Sequence, residues 1–106
     1  MIQHLNECAD ACDKCFNACL NEKEVSIMTR CIELSRECSE ICRITASVIS
    51  RDSENMDKFL KLSTEISKAC AEECEKHDET HCKECAKICR QHLEASADFH
   101  LADYIL

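Results

Sequence analysis

Glycine and proline are both absent from this chain of 106 residues. Without them the tight-turn chemistry that a loop-rich disulfide scaffold needs is missing, so such a scaffold is not expected. Positive charge is also scarce, with 13 basic residues against 21 acidic ones and a net charge of −8. No basic cluster interrupts that balance, which argues against nucleic acid and against anionic membrane surfaces as partners. No apolar run approaches the roughly 20 residues that span a bilayer. The opening residues, Met1 to Cys8, show no basic region, apolar core or small-residue cleavage site, so a cytoplasmic location is expected. The length fits one domain over 1–106.

What the chain has in excess is cysteine, at 12 residues. Disulfides and metal are the two common explanations. A chain expected in the reducing cytosol favours metal.

The lack of both helix breakers, together with abundant Ala, Glu, Lys and Leu, predicts helix almost everywhere. No stretch alternates with period two, so strands are not expected. Three polar interruptions stand out. Asn21 and Glu24 have the spacing of a capping box, Asp52 or Ser53 can cap after Arg51, and Asp78 or Thr80 can cap after His77. Cutting there gives helices near 2–20, 24–51, 54–77 and 80–102. Short connections make successive helices antiparallel neighbours. The fold class that follows is all-α, an up-down-up-down four-helix bundle with a cysteine-lined core.

The cysteines are in phase with those helices. Cys8, Cys12, Cys15 and Cys19 lie on the first, Cys31, Cys38 and Cys42 on the second, Cys70 and Cys74 on the third, and Cys82, Cys85 and Cys89 on the fourth. Every step within a helix is 3, 4 or 7 residues, so each set occupies one face. Only 26 residues are large and apolar, too few to give four long helices another inward stripe. The thiol faces must therefore point to the bundle axis.

Cysteine packs well as a small buried hydrophobe, but twelve in phase exceed what packing asks for. Cys8-x3-Cys12-x2-Cys15 has the spacing of the cluster motif of radical S-adenosylmethionine enzymes. That motif works in a loop of a much larger barrel, and the Pro that ends the ferredoxin cysteine run is missing. Zinc in four-thiolate sites is chemically sound. Three such sites, however, would leave a charge of about −6 in a narrow core, which is costly to bury. Cu(I) is soft, prefers thiolate and accepts two or three sulfurs. Each Cu⁺ replaces one thiol proton, so one copper per cysteine leaves a neutral interior. Cys8–Cys12, Cys15–Cys19, Cys38–Cys42, Cys70–Cys74 and Cys85–Cys89 are i, i+4 pairs able to grip one ion each.

With Cys8-Ala-Asp-Ala-Cys12-Asp-Lys-Cys15 and Cys82-Lys-Glu-Cys85-Ala-Lys-Ile-Cys89 on four cysteine-lined helices, the chain resembles the four-helix-bundle copper storage proteins of bacteria over essentially its whole length. The resemblance implies many Cu(I) ions along the bundle interior, a homotetramer, and the cytosolic rather than the exported kind. The sparse third helix, where Ser63 and Ser67 continue the stripe of Cys70 and Cys74, departs from the fuller members and bears on capacity.

Threading the helices antiparallel at about 1.5 Å per residue orders the thiols by height. Cys19, Cys74 and Cys82 come at the upper end, then Cys15, Cys31, Cys70 and Cys85, then Cys12 and Cys89, with Cys8, Cys38 and Cys42 deepest. Leu5, Val48, Ile49, Phe59, Leu62, Ile66 and Phe99 are expected below them as an apolar plug. His4 and His92 continue the stripes of Cys8 and Cys89, either as ligands or as hydrogen-bonded core residues. His77 and His81 flank the upper connection, as ligands or as surface residues. Met28 stands one turn above Cys31, as core or as a soft waypoint, and His100 is placed on the surface. Glu72 with Lys76 and Glu79 with Lys83 are expected as solvated pairs. The tail of Phe99, Leu101, Tyr104, Ile105 and Leu106 suggests packing beyond one bundle.

The expected function is cytosolic Cu(I) storage without catalysis, with copper ions and a cytosolic copper chaperone as partners. Its rivals are a zinc or broad soft-metal sequestering protein and a thiol-based redox sensor.

Overall fold

A computed structural model describes residues 1–99. His100 and the apolar tail Leu101, Tyr104, Ile105 and Leu106 lie outside the described residues, and the fourth helix already ends at Ala97, short of the expected 102. Four helices follow one another: α1 Ile2–Leu20, α2 Thr29–Ser50, α3 Met56–Cys74 and α4 Thr80–Ala97, with a 3-10 turn over Val25–Met28 leading into α2. α1 packs on α2 and α4, and α3 packs on the same two. The result is an antiparallel four-helix bundle, a rod of 50 × 19 × 17 Å. Among the described residues there is no strand.

The helix ends differ from the capping expected. Asn21 closes α1 instead of opening α2, its backbone N–H donating to the Ala18 carbonyl and its Nδ2 to the Asn17 carbonyl. The 3-10 turn then delays α2 to Thr29. At the far end of α2, Ser53 N–H donates to Val48 O and Asp52 N–H to Ile49 O. These are the paired bonds of a Schellman motif, with Asp52 in the left-handed position at φ 52°. Glycine usually fills that place; in a chain without any, a short aspartate is among the residues that tolerate it. Asn55 and Glu79 hold the N-cap positions of α3 and α4, with no side-chain cap bond at either. α3 ends at Cys74, so residues 75–79 form a longer upper connection than expected.

All twelve cysteines face the axis, with a relative exposure of 0–1%. Below them Leu5, Val48, Ile49 and Met56 are buried. The rest of the expected plug is looser: Phe59, Ile66 and Phe99 are half-buried, and Leu62 is 45% exposed. The inward line of α3 runs instead through Met56, Ser63, Ser67, Cys70 and Cys74. That line continues the cysteine phase backward in steps of 4, 3, 4 and 7, and Leu62 falls off it. Hydroxyls therefore fill much of the core among and below the thiols, where Ser35, Thr45, Ser63 and Ser67 are all 0% exposed. Thr45 and Ser63 satisfy themselves on the backbone, donating to Ile41 O and Leu60 O.

Candidate metal centre

Antiparallel threading brings thiols from different helices closer than many within one helix. Cys8 Sγ lies 3.5 Å from Cys89 Sγ and 3.8 Å from Cys38 Sγ. Cys12 stands 3.8 Å from both Cys85 and Cys89. Cys31 meets Cys74 at 3.6 Å, Cys19 at 3.7 Å and Cys15 at 3.8 Å. Two of the i, i+4 pairs also close up, Cys15–Cys19 at 3.8 Å and Cys38–Cys42 at 3.9 Å. All twelve thiols are free.

These contacts resolve into four overlapping groups whose sulfurs lie within 4.8 Å of one another. They are Cys15, Cys19, Cys31 and Cys82; Cys15, Cys74 and Cys85; Cys12, Cys70, Cys85 and Cys89; and Cys8, Cys12, Cys38 and Cys89. The order down the axis is the one read from the sequence, with one correction. Cys70 sits with Cys12 and Cys89, and Cys74 with Cys15 and Cys85, each deeper than expected. The cause is the early end of α3, whose last turn stops short of the upper rim. Cys42 stands apart at the bottom, beside Cys38 and the hydroxyl of Ser67 at 3.7 Å.

Protons are shared unevenly through this network. Cys8 is held down at about 5, chiefly by its hydrogen bond with Cys12. Cys15 is lowered by bonds with Cys31 and Cys74, Cys38 by bonds with Cys12 and Cys42, and Cys70 foremost by its bond with Cys12. Their neighbours keep their protons more tightly: Cys31 is raised to about 11 by its bond to Cys15. A thiolate receiving S–H bonds is stabilised at the expense of its donors. Such a cluster is already partly arranged to trade protons for a soft cation.

The histidines divide. His81 reaches the thiols: its Nδ1 is 3.5 Å from Cys82, 3.6 Å from Cys15 and 3.8 Å from Cys19, and its Nε2 is 2.9 Å from Glu22 Oε1. His77 turns away, its Nε2 bonded to Glu73 at 2.9 Å. His92 is fully buried with Nε2 unpartnered, and Nδ1 lies 3.5 Å from Ser96 Oγ. Burial lowers its pKa. His4 is half-buried near the same end. Met28 is a core residue at 2% exposure. Lys76 pairs with Glu73 rather than with Glu72.

Sequence reading passed over Ser35, Ser39, Thr45 and Glu73. Ser35 and Thr45 were findable, because they keep the step of 3 or 4 between Cys31, Cys38, Cys42 and Ile49. Ser35 Oγ touches Cys70 at 3.9 Å and Cys31 at 4.0 Å. Ser39 instead leaves the thiols and bonds Asp13 of α1. Glu73, buried at 7% exposure, gathers Arg30, Lys76 and His77, and no spacing in the sequence announces it.

The likenesses to known proteins agree with this architecture. A cysteine-rich protein of Bacillus subtilis strain 168, YhjQ, is 41% identical over 86 residues, 81% of this chain and 80% of that one. The Cu(I)-bound copper storage protein BsCsp3 superposes with a TM-score of 0.87 at 37% identity, covering 92% of each chain. A cytosolic copper storage protein from Streptomyces lividans, determined with five coppers, superposes with a TM-score of 0.88 at 33% identity, over 92% of this chain and 86% of that one. The family model described as copper storage protein matches residues 1–100. The chain belongs to the copper storage protein family.

Proposed function

We propose that this chain stores and buffers Cu(I), holding the ions as cargo on its twelve cysteines, about one per thiol, and catalysing nothing. One observation carries the reading: the four thiol groups share members. Cys12, Cys15, Cys85 and Cys89 each belong to two groups, so a filled core needs bridging thiolates. Zinc asks four thiolates of each ion and leaves negative charge in the column, whereas soft Cu(I) is satisfied by two or three bridging sulfurs. Metal–thiolate bonds of about 2.3 Å put two sulfurs of a trigonal site about 4 Å apart, and the thiol contacts of 3.5–3.9 Å need little adjustment. Copper in place of protons also keeps the buried column neutral, which removes the cost of burying charge.

His81 is the histidine best suited to join the thiols. Ligating histidines commonly give their second ring N–H to a carboxylate, and Glu22 stands ready to accept it. His92 offers an unpartnered nitrogen near the bottom of the column, with His4 beside it as a second donor. His77 serves, in this reading, through Glu73 or not at all. The domain comprises 1–106, works in the cytosol as the Streptomyces lividans relative is described to do, assembles as a homotetramer and receives copper from a chaperone.

Titration of the reduced protein against a competing Cu(I) chelator tests the reading. Storage requires tight uptake approaching one copper per cysteine. Saturation after one or two ions, or a preference for zinc at equal thiol occupancy, would overturn it.

A further inference from the structure

Below the deepest thiol group the inward stripes of α1 and α4 both continue in histidine. His4 precedes Cys8 by four residues, and His92 follows Cys89 by three. Cys8 and Cys89 themselves meet at 3.5 Å. Because the two helices run antiparallel, both steps lead toward the lower end, by about 6 and about 4.5 Å at about 1.5 Å per residue. The two imidazoles therefore come to nearly one level, a turn beneath the thiols.

His92 is 0% exposed. Its Nε2 is the one buried side-chain nitrogen or oxygen among the described residues that lacks a hydrogen-bond partner. Nδ1 lies 3.5 Å from Ser96 Oγ. With Nδ1–H given to that hydroxyl, Nε2 keeps a bare lone pair, which is destabilising inside a core. The nearby hydroxyls of Thr45 and Ser63 do not relieve it, since their protons are committed to Ile41 O and Leu60 O. The charges that act on the ring are those of Cys8 and Cys38, of His4 and of the terminal amine. Burial keeps the ring neutral, the form in which an imidazole binds metal.

We infer that one Cu(I) binds beneath the deepest thiol group, held by His92 Nε2, the His4 ring and a bridging Cys8 thiolate. The inference rests on the storage reading and deepens it, because it ends the column in a mixed nitrogen and sulfur site. His4 and Cys8 are an i, i+4 pair on one face of α1 and can grip a single ion. Imidazole is a borderline donor that Cu(I) accepts beside thiolate. The arriving Cu⁺ displaces the Cys8 proton to solvent, and the two neutral rings lose none. The site is thus uncharged, and copper stays Cu(I). Unlike the thiol groups, these three donors do not lie within 4.8 Å of one another in the metal-free chain. Filling the site therefore draws the half-buried His4 ring inward.

The full-length reduced protein is titrated with Cu(I) against a competing chelator, and the ring nitrogens of labelled histidines are followed by NMR. His92→Leu is expected to bind one ion fewer at the endpoint. Its metal-free urea midpoint should be no lower than that of wild type, because an unpartnered polar group gives way to an apolar one of similar size. His92→Cys should restore the lost ion. In wild type at saturation, Nε2 of His92 should move from the lone-pair range to the metal-bound range, and the His4 ring should move in the same step. An unchanged endpoint in His92→Leu overturns the site, and with a lowered midpoint it makes His92 a structural core residue. An Nε2 resonance that stays in the lone-pair range, or a His4 ring that does not move, overturns the site equally. These resonances decide alone if the leucine variant fails to fold. Wild-type protein that took up no Cu(I) would instead defeat the storage reading beneath the inference.

Discussion

The Glu22 carboxylate holds the His81 ring at 2.9 Å through Nε2, which turns Nδ1 onto three thiols of the uppermost group. Burial opposes a charge on this ring, but its bonds to Cys15 and Glu22 raise its pKa. With Nε2–H given to Glu22, the neutral ring presents a lone pair at Nδ1 to an arriving soft ion. His77 lacks any such approach, being tied to Glu73. His81→Ala is therefore expected to slow Cu(I) loading from a bulky donor about tenfold, with capacity little changed. His77→Ala should leave the rate alone. Glu22→Gln should fall between wild type and His81→Ala, because the amide accepts the ring N–H more weakly. Stopped-flow loading of the four proteins checks the order.

Capacity is limited where hydroxyls stand in for thiols. Ser67 Oγ lies 3.4 Å from Cys38 Sγ and 3.7 Å from Cys42 Sγ, so the lowest pair has a third donor too hard for Cu(I). Ser67→Cys is expected to bring Cys42 into a complete three-sulfur group and to raise the copper count by about one. Cys12→Ser with Cys38→Ser works in the opposite direction. It removes one of the sulfurs common to two groups and one further member of the deepest, and should lower the count while leaving the first-loaded ions in place. Chelator-competition endpoints read both changes.

Much of this arrangement was legible before any coordinates. Cysteines at steps of 3, 4 and 7 can face one way only on a helix, and the scarcity of other apolar residues left the axis as their destination. Leu62 shows where the reading failed. Phe59, Leu60, Leu62 and Ile66 spread apolar character around α3, and hydrophobicity alone could not fix its phase. Carrying the cysteine phase backward from Cys70 to Ser67, Ser63 and Met56 would have done so. The helix ends were less readable still. Capping rules lean on glycine, and here Asp52 takes the left-handed position. Contacts between distant residues, such as Glu22 with His81 and Arg30 with Glu73, have no local signature, because they depend on how the connections fold over the upper end.

The apolar support of the metal-free bundle is narrow. Leu5, Val48 and Ile49 are its largest fully buried aliphatic side chains, and the remaining column is thiol and hydroxyl. Leu5→Ala should lower the stability of the metal-free protein by about 2–5 kcal/mol, read from the urea midpoint. Copper binds the folded column and not the unfolded chain to the same extent, so loading should restore most of the lost midpoint. Amide exchange over residues 8–19 and 82–89 should slow on loading in both proteins. Exchange unchanged by copper would break the coupling between filling and folding.

Acid should weaken the metal-free bundle through Glu73. Burial works against its charge, but His77 and Lys76 outweigh that and hold the carboxyl below its ordinary 4.5. Arg30 adds a further cation from α2, at 3.3 Å. The folded state therefore binds a proton at this site less readily than the unfolded chain does, and stability at the site rises with pH across the interval between the two values. The contribution is complete above the unfolded value and disappears as pH falls through the lower, folded one. Glu73→Gln removes the charge at every pH. Its melting temperature should thus lie below that of wild type near neutrality, and the gap should close as pH drops past 4.5. A gap that stays constant down to that acidity would mean that Glu73 supports the α2–α3 seam by shape and hydrogen bonding rather than by charge.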